Sequence, residues 1–91
     1  MKIYIVERNN PYEWQEPEVF KDGSIAVEVV REEYERCKYN LGIEDDNADN
    51  GYGAGWAEWE IDEGCYYGGE ALIDRDIDGD RWQWRITEHV I

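Results

Sequence analysis

The sequence has few of the residues that enzymes use for covalent or acid–base chemistry. Its 91 residues include one serine, one threonine, one histidine and two cysteines. Nucleophilic catalysis needs a hydroxyl or thiol beside a base, and a zinc site needs several His or Cys ligands. Ser24 falls where a helix is expected to begin, and His89 falls close to the C-terminus. We therefore expect a protein that is not an enzyme and that uses no cofactor.

The distribution of apolar residues along the sequence predicts neither a targeting signal nor a membrane segment. No apolar run is long enough to cross a bilayer, and the short apolar run near the N-terminus has no small-residue cleavage site behind it. Cys37 and Cys65 do not form a C-x-x-C pair, and we expect two reduced thiols. These absences predict a cytoplasmic protein without a membrane partner, located in the host cell if a phage encodes it.

One long stretch of the chain contains no basic residue. Between Lys38 and Arg75 there is no lysine or arginine, although the stretch holds ten of the chain's 23 carboxylates. The net charge of −14 costs folding stability through self-repulsion, and it makes nucleic acid or anionic lipid a poor partner. Cations and basic protein surfaces are the partners that this charge favours. The ten carboxylates are Glu44, Asp45, Asp46, Asp49, Glu58, Glu60, Asp62, Glu63, Glu70 and Asp74.

Aromatic side chains are abundant, with five Trp, seven Tyr and one Phe. This content argues against disorder despite the charge, and the length fits a single domain spanning residues 1–91. Alternation over Lys2–Arg8 predicts a strand, and Val19–Phe20 could add a short edge strand. Further strands are expected over Trp56–Ile61, Glu70–Ile77 and Asp80–Val90, with Ala57, Trp59 and Ile61 facing inward and Glu58 and Glu60 facing outward.

A single amphipathic helix is expected between the second and third strands. Ser24 is predicted to cap its start and Gly42 to cap its end. Its apolar stripe follows helical spacing and comprises Ala26, Val27, Val30, Tyr34, Cys37 and Leu41. The order β-(β)-α-β-β-β predicts an α+β domain: a small antiparallel sheet of four to five strands with one helix packed on a face.

The segment DRDIDGD, residues 74–80, resembles the opening of a calcium-binding loop. Such a loop needs a bidentate carboxylate at its twelfth position, and Arg85 occupies that position here. A hairpin with Asp78–Gly79 as a two-residue turn accounts for the pattern better, with Asp76 opposite Arg81. We therefore predict a hairpin and no metal, and keep Asp74, Asp76 and Asp78 as a weak alternative cation site.

Carboxylates recur at regular intervals on two predicted elements. Glu28, Glu32 and Glu35 form a stripe on the solvent side of the helix, about 5–6 Å apart. Carboxylates on alternate strand positions repeat about every 6.6–6.8 Å, which is of the same order as phosphate spacing. The pattern predicts a nucleic-acid mimic that binds the basic surface of a DNA- or RNA-binding protein. Small acidic domains of this kind are typical of phage and mobile-element inhibitors of restriction or CRISPR nucleases.

The residues expected to contact the partner combine the helix stripe, the acidic loop and the strand that follows it. They are Glu28, Glu32, Glu35, Glu44, Asp45, Asp46, Asp49, Tyr52, Trp56, Glu58, Glu60, Asp62 and Glu63. Two other functions remain open at this point. The chain could be an accessory interaction module that uses exposed aromatics, or a weak divalent-cation-binding module. The acidic surface could also serve solubility alone.

Overall fold

The computed structural model describes residues 1–48, 55–64, 67–75 and 79–91. It confirms the predicted α+β class: a five-stranded antiparallel sheet with one helix on a face. The strands pair in the order β2-β1-β5-β4-β3, so β2 and β3 form the two edges. The elements in chain order are β1 (Lys2–Asn9), β2 (Glu18–Phe20), α1 (Gly23–Leu41), β3 (Trp56–Glu63), β4 (Tyr67–Asp74) and β5 (Arg81–Val90).

The core lies between α1 and one face of the sheet. Val6, Ile73 and Ile86 from three strands are fully buried against Val30 and Tyr34 of the helix. The predicted helical stripe is confirmed, since four of its members are buried and Cys37 and Leu41 pack partly buried against the core. The other face of the sheet has no helix on it among the described residues. No helix in the described part of the chain is long and apolar enough to cross a membrane.

The helix starts one residue earlier than predicted, and Ser24 is not its cap. Asp22 is the N-cap, because its Oδ1 accepts hydrogen bonds from the Ser24 N–H at 2.9 Å and from the Ser24 hydroxyl at 2.7 Å. The first helical residue is a glycine, and a side chain at that position would collide with the ring of Tyr67. Gly42 ends the helix in the left-handed region with φ 74°, as predicted.

The β4–β5 register differs from the prediction by two residues. Asp74 lies opposite Arg81 and Ala71 opposite Trp84, and the Arg75 N–H donates to the Asp80 carbonyl at 2.8 Å, so the connection is longer than a two-residue turn. The observed register pairs both β4 carboxylates with arginines, which the predicted register does not. A shift of two preserves the alternation, so either register places Ala71, Ile73, Trp84 and Ile86 on one face, which is the buried one. Asp76 and Asp78 lie outside the described residues.

The strand predicted to start at Glu70 begins earlier and includes a pair of glycines. Gly68 and Gly69 lie within β4, which starts at Tyr67 rather than Glu70. Gly69 has φ 129°, and a Cβ there would lie 2.2 Å from the Glu60 carbonyl oxygen. Glycine therefore allows the two strands to approach where another residue would clash.

Candidate protein-binding surface

Charge is divided unequally between the two halves of the sheet. β3 and β4 together hold six carboxylates and no lysine or arginine. β1 and β5 together hold four basic residues and two carboxylates. Since β3 is an edge strand, the negative half of the sheet ends at the border of the molecule.

The arginines of β5 neutralise the carboxylates of β4. Arg85 Nη2 lies 2.8 Å from Glu70 Oε1, and Arg81 Nη2 lies 3.0 Å from Asp74 Oδ2. Both pairs cross the β4–β5 ladder between directly opposite residues. They lie on the sheet face opposite the helix, and their side chains are 32–56% exposed. The acidic residues of β4 are therefore already paired within the fold.

The carboxylates of β3 differ from those of β4 in the described part of the chain. Glu58, Glu60, Asp62 and Glu63 form no ion pair with a base in the described part of the chain, and we call these four residues the acidic edge. Glu58 accepts a hydrogen bond from the Trp56 indole N–H at 2.6 Å, and Asp62 accepts one from the Gly64 N–H at 2.9 Å. These contacts fix side-chain positions without removing charge. The acidic edge therefore presents carboxylates that no base of the described residues neutralises, on a strand that is paired with β4.

Alternation along β3 divides its side chains between the two faces of the sheet, as predicted. Ala57 and Ile61 are buried in the core, and Trp59 packs against Tyr34 of the helix with ring centroids 5.1 Å apart. Glu58, Glu60 and Asp62 consequently point to the open face. Successive carboxylates on that face repeat about every 6.6–6.8 Å.

Glu63, at the end of β3, lies on the helix side and meets the predicted helix stripe. It lines a groove of about 470 Å³ together with Glu28, Glu32 and Glu35, and we call this groove the helix groove. Arg31 also lines it and lies over the Trp59 ring, 4.5 Å from its centroid. The structure thus brings together four of the candidate residues, from two elements that are distant in sequence.

Two members of the helix stripe have basic neighbours on the helix itself. Arg36 contacts Glu32 and Arg31 contacts Glu35, each at 2.9 Å and one turn apart. All four side chains are at least 41% exposed, and pairs this exposed contribute about 0.3–0.5 kcal/mol. A partner's base can therefore replace Arg36 at little cost, whereas Arg31 also lies over the Trp59 ring and Glu35 also contacts Lys38 at 3.6 Å. Glu28 forms no ion pair among the described residues.

The acidic loop after the helix contains carboxylates with different roles. Glu44 and Asp45 are exposed, whereas Asp46 accepts hydrogen bonds from the Tyr34 hydroxyl at 2.6 Å and from Lys38 Nζ at 2.8 Å. Burial acts to raise the pKa of Asp46, but these hydrogen bonds and the charge of Lys38 outweigh it and lower that pKa. Lys38 is itself 6% exposed. Asp46 therefore fastens the loop to the helix.

The candidate residues do not form one flat face. The helix groove opens on the helix side of the sheet, whereas Glu58, Glu60 and Asp62 lie on the opposite side, and the two acidic surfaces meet around the β3 edge. Trp56 is half-buried, and its indole N–H donates a hydrogen bond to Glu58. Two further candidates, Asp49 and Tyr52, lie outside the described residues.

Sequence reasoning missed which carboxylates the arginines neutralise. The pairing of arginines with carboxylates depends on the β4–β5 register. The predicted register places Thr87 opposite Glu70, whereas the structure places Arg85 there. Among the described residues, no group of three or more His, Cys, Asp and Glu side chains could hold a metal ion. Asp74 of the alternative cation site is paired with Arg81, and its other two members lie outside the described residues.

Aromatic side chains outside the core differ widely in exposure. Trp14 is 79% exposed in the loop between β1 and β2. Tyr12 nearby is also exposed, but its ring packs edge-on against Trp82 and its hydroxyl donates to Asp80. Cys37 is a half-buried free thiol, and burial raises its pKa to about 11, which makes it a poor nucleophile at neutral pH.

Comparison of the chain with protein-family models, with curated proteins and with solved structures gave no match. The function is therefore inferred from the chemistry of the chain itself.

Proposed function

We propose that this protein is a non-enzymatic inhibitor that occupies the nucleic-acid-binding surface of a basic protein. The observation that carries the proposal is the contrast between adjacent strands. Each carboxylate of β4 is paired with an arginine, while the four carboxylates of the acidic edge pair with no base in the described part of the chain. Unpaired like charges held on one strand cost stability, and binding a basic surface offsets that cost.

The geometry of the acidic edge supports mimicry of a phosphate backbone. β3 has eight residues, which corresponds to a span of about 26 Å. Its open-face carboxylates repeat at about the spacing that a phosphate-binding groove follows. Because the helix groove lies around the same edge, a basic cleft that receives β3 meets carboxylates on both of its walls.

The partner that this surface fits is a protein rather than nucleic acid or membrane. Repulsion between the acidic edge and phosphates disfavours direct binding of DNA, RNA or anionic lipid. Lysine and arginine grooves attract the same surface at long range, which gives fast and salt-sensitive association. The small size and negative charge of this chain are typical of inhibitors that phages and mobile elements direct against restriction or CRISPR nucleases.

The first experiment asks whether the protein and nucleic acid compete for one partner. The full chain is immobilised, a bacterial lysate is passed over it, and bound proteins are released with a salt gradient. We expect a DNA- or RNA-binding protein at moderate salt, and we expect the free chain to displace labelled nucleic acid from that protein after purification. A partner that binds the chain and its nucleic acid simultaneously would contradict the proposal.

Matched variants separate the acidic edge from total charge. The triple variant Glu58→Gln/Glu60→Gln/Asp62→Asn and the control Glu7→Gln/Glu13→Gln/Glu16→Gln each remove three charges. The control positions lie on β1 and in the loop before β2. We expect the edge variant to lose about tenfold or more in affinity for the partner and the control to lose much less. Equal losses would show that net charge alone governs binding.

The exposed Trp14 favours a second candidate function, an accessory module that binds a protein through aromatic side chains. Buried aromatic contacts are barely screened by salt, so such a complex persists where the electrostatic one dissociates. The variant Trp14→Ala distinguishes the two. It abolishes binding by the aromatic module and leaves binding by the acidic edge unchanged.

A further inference from the structure

The outer side of β3 carries backbone groups that point away from the sheet. The Asn47 N–H donates to the Ala57 carbonyl at 2.7 Å, so that carbonyl faces outward. In an antiparallel strand the N–H and C=O groups of alternate residues point to the same side. The backbone N–H and C=O groups of Trp59 and Ile61 therefore also point outward, although the side chains of both residues lie on the helix side, whereas the Glu60 carbonyl faces Gly69 of β4. In the described part of the chain, no strand pairs with this outer side.

We propose that this free edge takes up an extended, lysine- and arginine-rich segment of the partner as a sixth strand. The proposal rests on the proposed function and specifies how the partner binds. Backbone hydrogen bonds from Trp59 and Ile61 would hold the segment, as when a peptide adds to an exposed sheet edge. Asn47 already occupies the edge at Ala57, so the added strand starts beyond that residue.

The side chains around the edge select a basic segment. On the open face, alternate residues of an added strand lie beside Glu58, Glu60 and Asp62. On the helix side, the intervening residues lie over the helix groove, beside Glu63 and Glu28, and Arg31 also lines this groove but is paired with Glu35. Both faces of the added strand therefore meet carboxylates, and lysine or arginine suits either face.

A second copy of the same chain is a poor occupant of this edge. Antiparallel pairing of two β3 strands would gather the open-face carboxylates of both copies on one face of the joined sheet. Like charges on neighbouring strands are destabilising, and charged edges are a common defence against edge-to-edge association. Charge thus excludes the self-complementary pairing and favours the basic one.

The test uses the full chain labelled with ¹⁵N and a synthetic peptide in which lysine and threonine alternate, with both ends blocked. A second peptide of the same sequence carries N-methyl groups at alternate residues, which remove backbone donors and leave every charge in place. Affinity is measured by chemical-shift titration, and edge protection by amide hydrogen exchange. The test compares two peptides and uses only the wild-type protein, so a variant that fails to fold cannot affect the result.

We expect the unmodified peptide to bind about tenfold or more tightly than its N-methylated form, because at least two backbone hydrogen bonds are lost. Amide exchange should slow at Trp59 and Ile61 and stay unchanged at Glu58 and Glu60, which face β4. Equal binding of both peptides, or binding of neither, would overturn strand addition. Neither outcome affects the separate experiment in which the chain displaces nucleic acid from the captured partner. That displacement is absent if the proposed function is wrong, whatever the peptides do.

Discussion

The two halves of the sheet use charge in opposite ways. In β1 and β5, each of the four bases contacts a carboxylate: Lys2 contacts Glu88, Arg8 contacts Glu33, Arg81 contacts Asp74 and Arg85 contacts Glu70. In β3, four carboxylates contact no base among the described residues. The lysine and arginine side chains of β1 and β5 are paired within the fold, and the carboxylates of β3 are available to a partner. Net charge therefore says less about function than the position of the unpaired residues.

The largest effect on stability is expected at Arg8, in the half where charges are paired. Its guanidinium donates to Glu33 Oε1 at 2.7 Å and Oε2 at 2.8 Å, and its side chain is 11% exposed. Replacing Arg8 with Met leaves Glu33 half-buried without this partner and should cost about 2–3 kcal/mol of unfolding free energy. Urea denaturation measures the change.

Arg81→Met is the matched control for that substitution. The Arg81 side chain is 56% exposed and contacts Asp74 in solvent. We expect a loss below about 1 kcal/mol, because exposed ion pairs contribute little. A similar loss for both variants would show that burial does not distinguish the two pairs.

An intermediate effect is expected at Asp46, which contacts the buried base Lys38. Asp46→Asn should cost about 1–2 kcal/mol at neutral pH, because it weakens hydrogen bonds from Tyr34 and Lys38. The pKa of Asp46 is lowered in the folded state, so its contribution is complete above the unfolded pKa of about 3.9 and is lost as pH falls further. The stability difference between wild type and variant should therefore shrink in acid. A difference that grew in acid would contradict this role.

The smallest effect on stability is expected at the acidic edge. The variant Glu58→Gln/Glu60→Gln/Asp62→Asn should keep its unfolding free energy within about 0.5 kcal/mol, or gain slightly, because it relieves repulsion and breaks no ion pair. Thermal unfolding of the variant and wild type measures this. A loss above about 1 kcal/mol would mean that these carboxylates stabilise the fold.

The fold was predictable because its elements have strong and different periodicities. Apolar spacing located α1, alternation located β3 and its faces, and Gly42 marked the end of the helix. The helix cap was assigned wrongly because Asp22 and Ser24 are both good capping residues, and local sequence does not choose between them.

The candidate site was only partly predictable for a related reason. The base-free stretch identified the carboxylates of β3, but their lack of partners depends on which strands the arginines reach. A two-residue change of register decides whether Glu70 faces Arg85 or Thr87. Asp46 could not be distinguished from Asp45 by sequence, because tertiary contacts with Tyr34 and Lys38 make the difference. Long-range pairing, rather than local pattern, separates structural from available charge.

The salt dependence of partner affinity tests most directly whether the acidic edge supplies the attraction. Dissociation constants of the purified partner are measured over a range of NaCl concentrations for wild type, for the edge variant and for Glu7→Gln/Glu13→Gln/Glu16→Gln. We predict that the logarithmic salt slope falls markedly in the edge variant and stays close to the wild-type value in the control. The same slope in all three proteins would contradict the account.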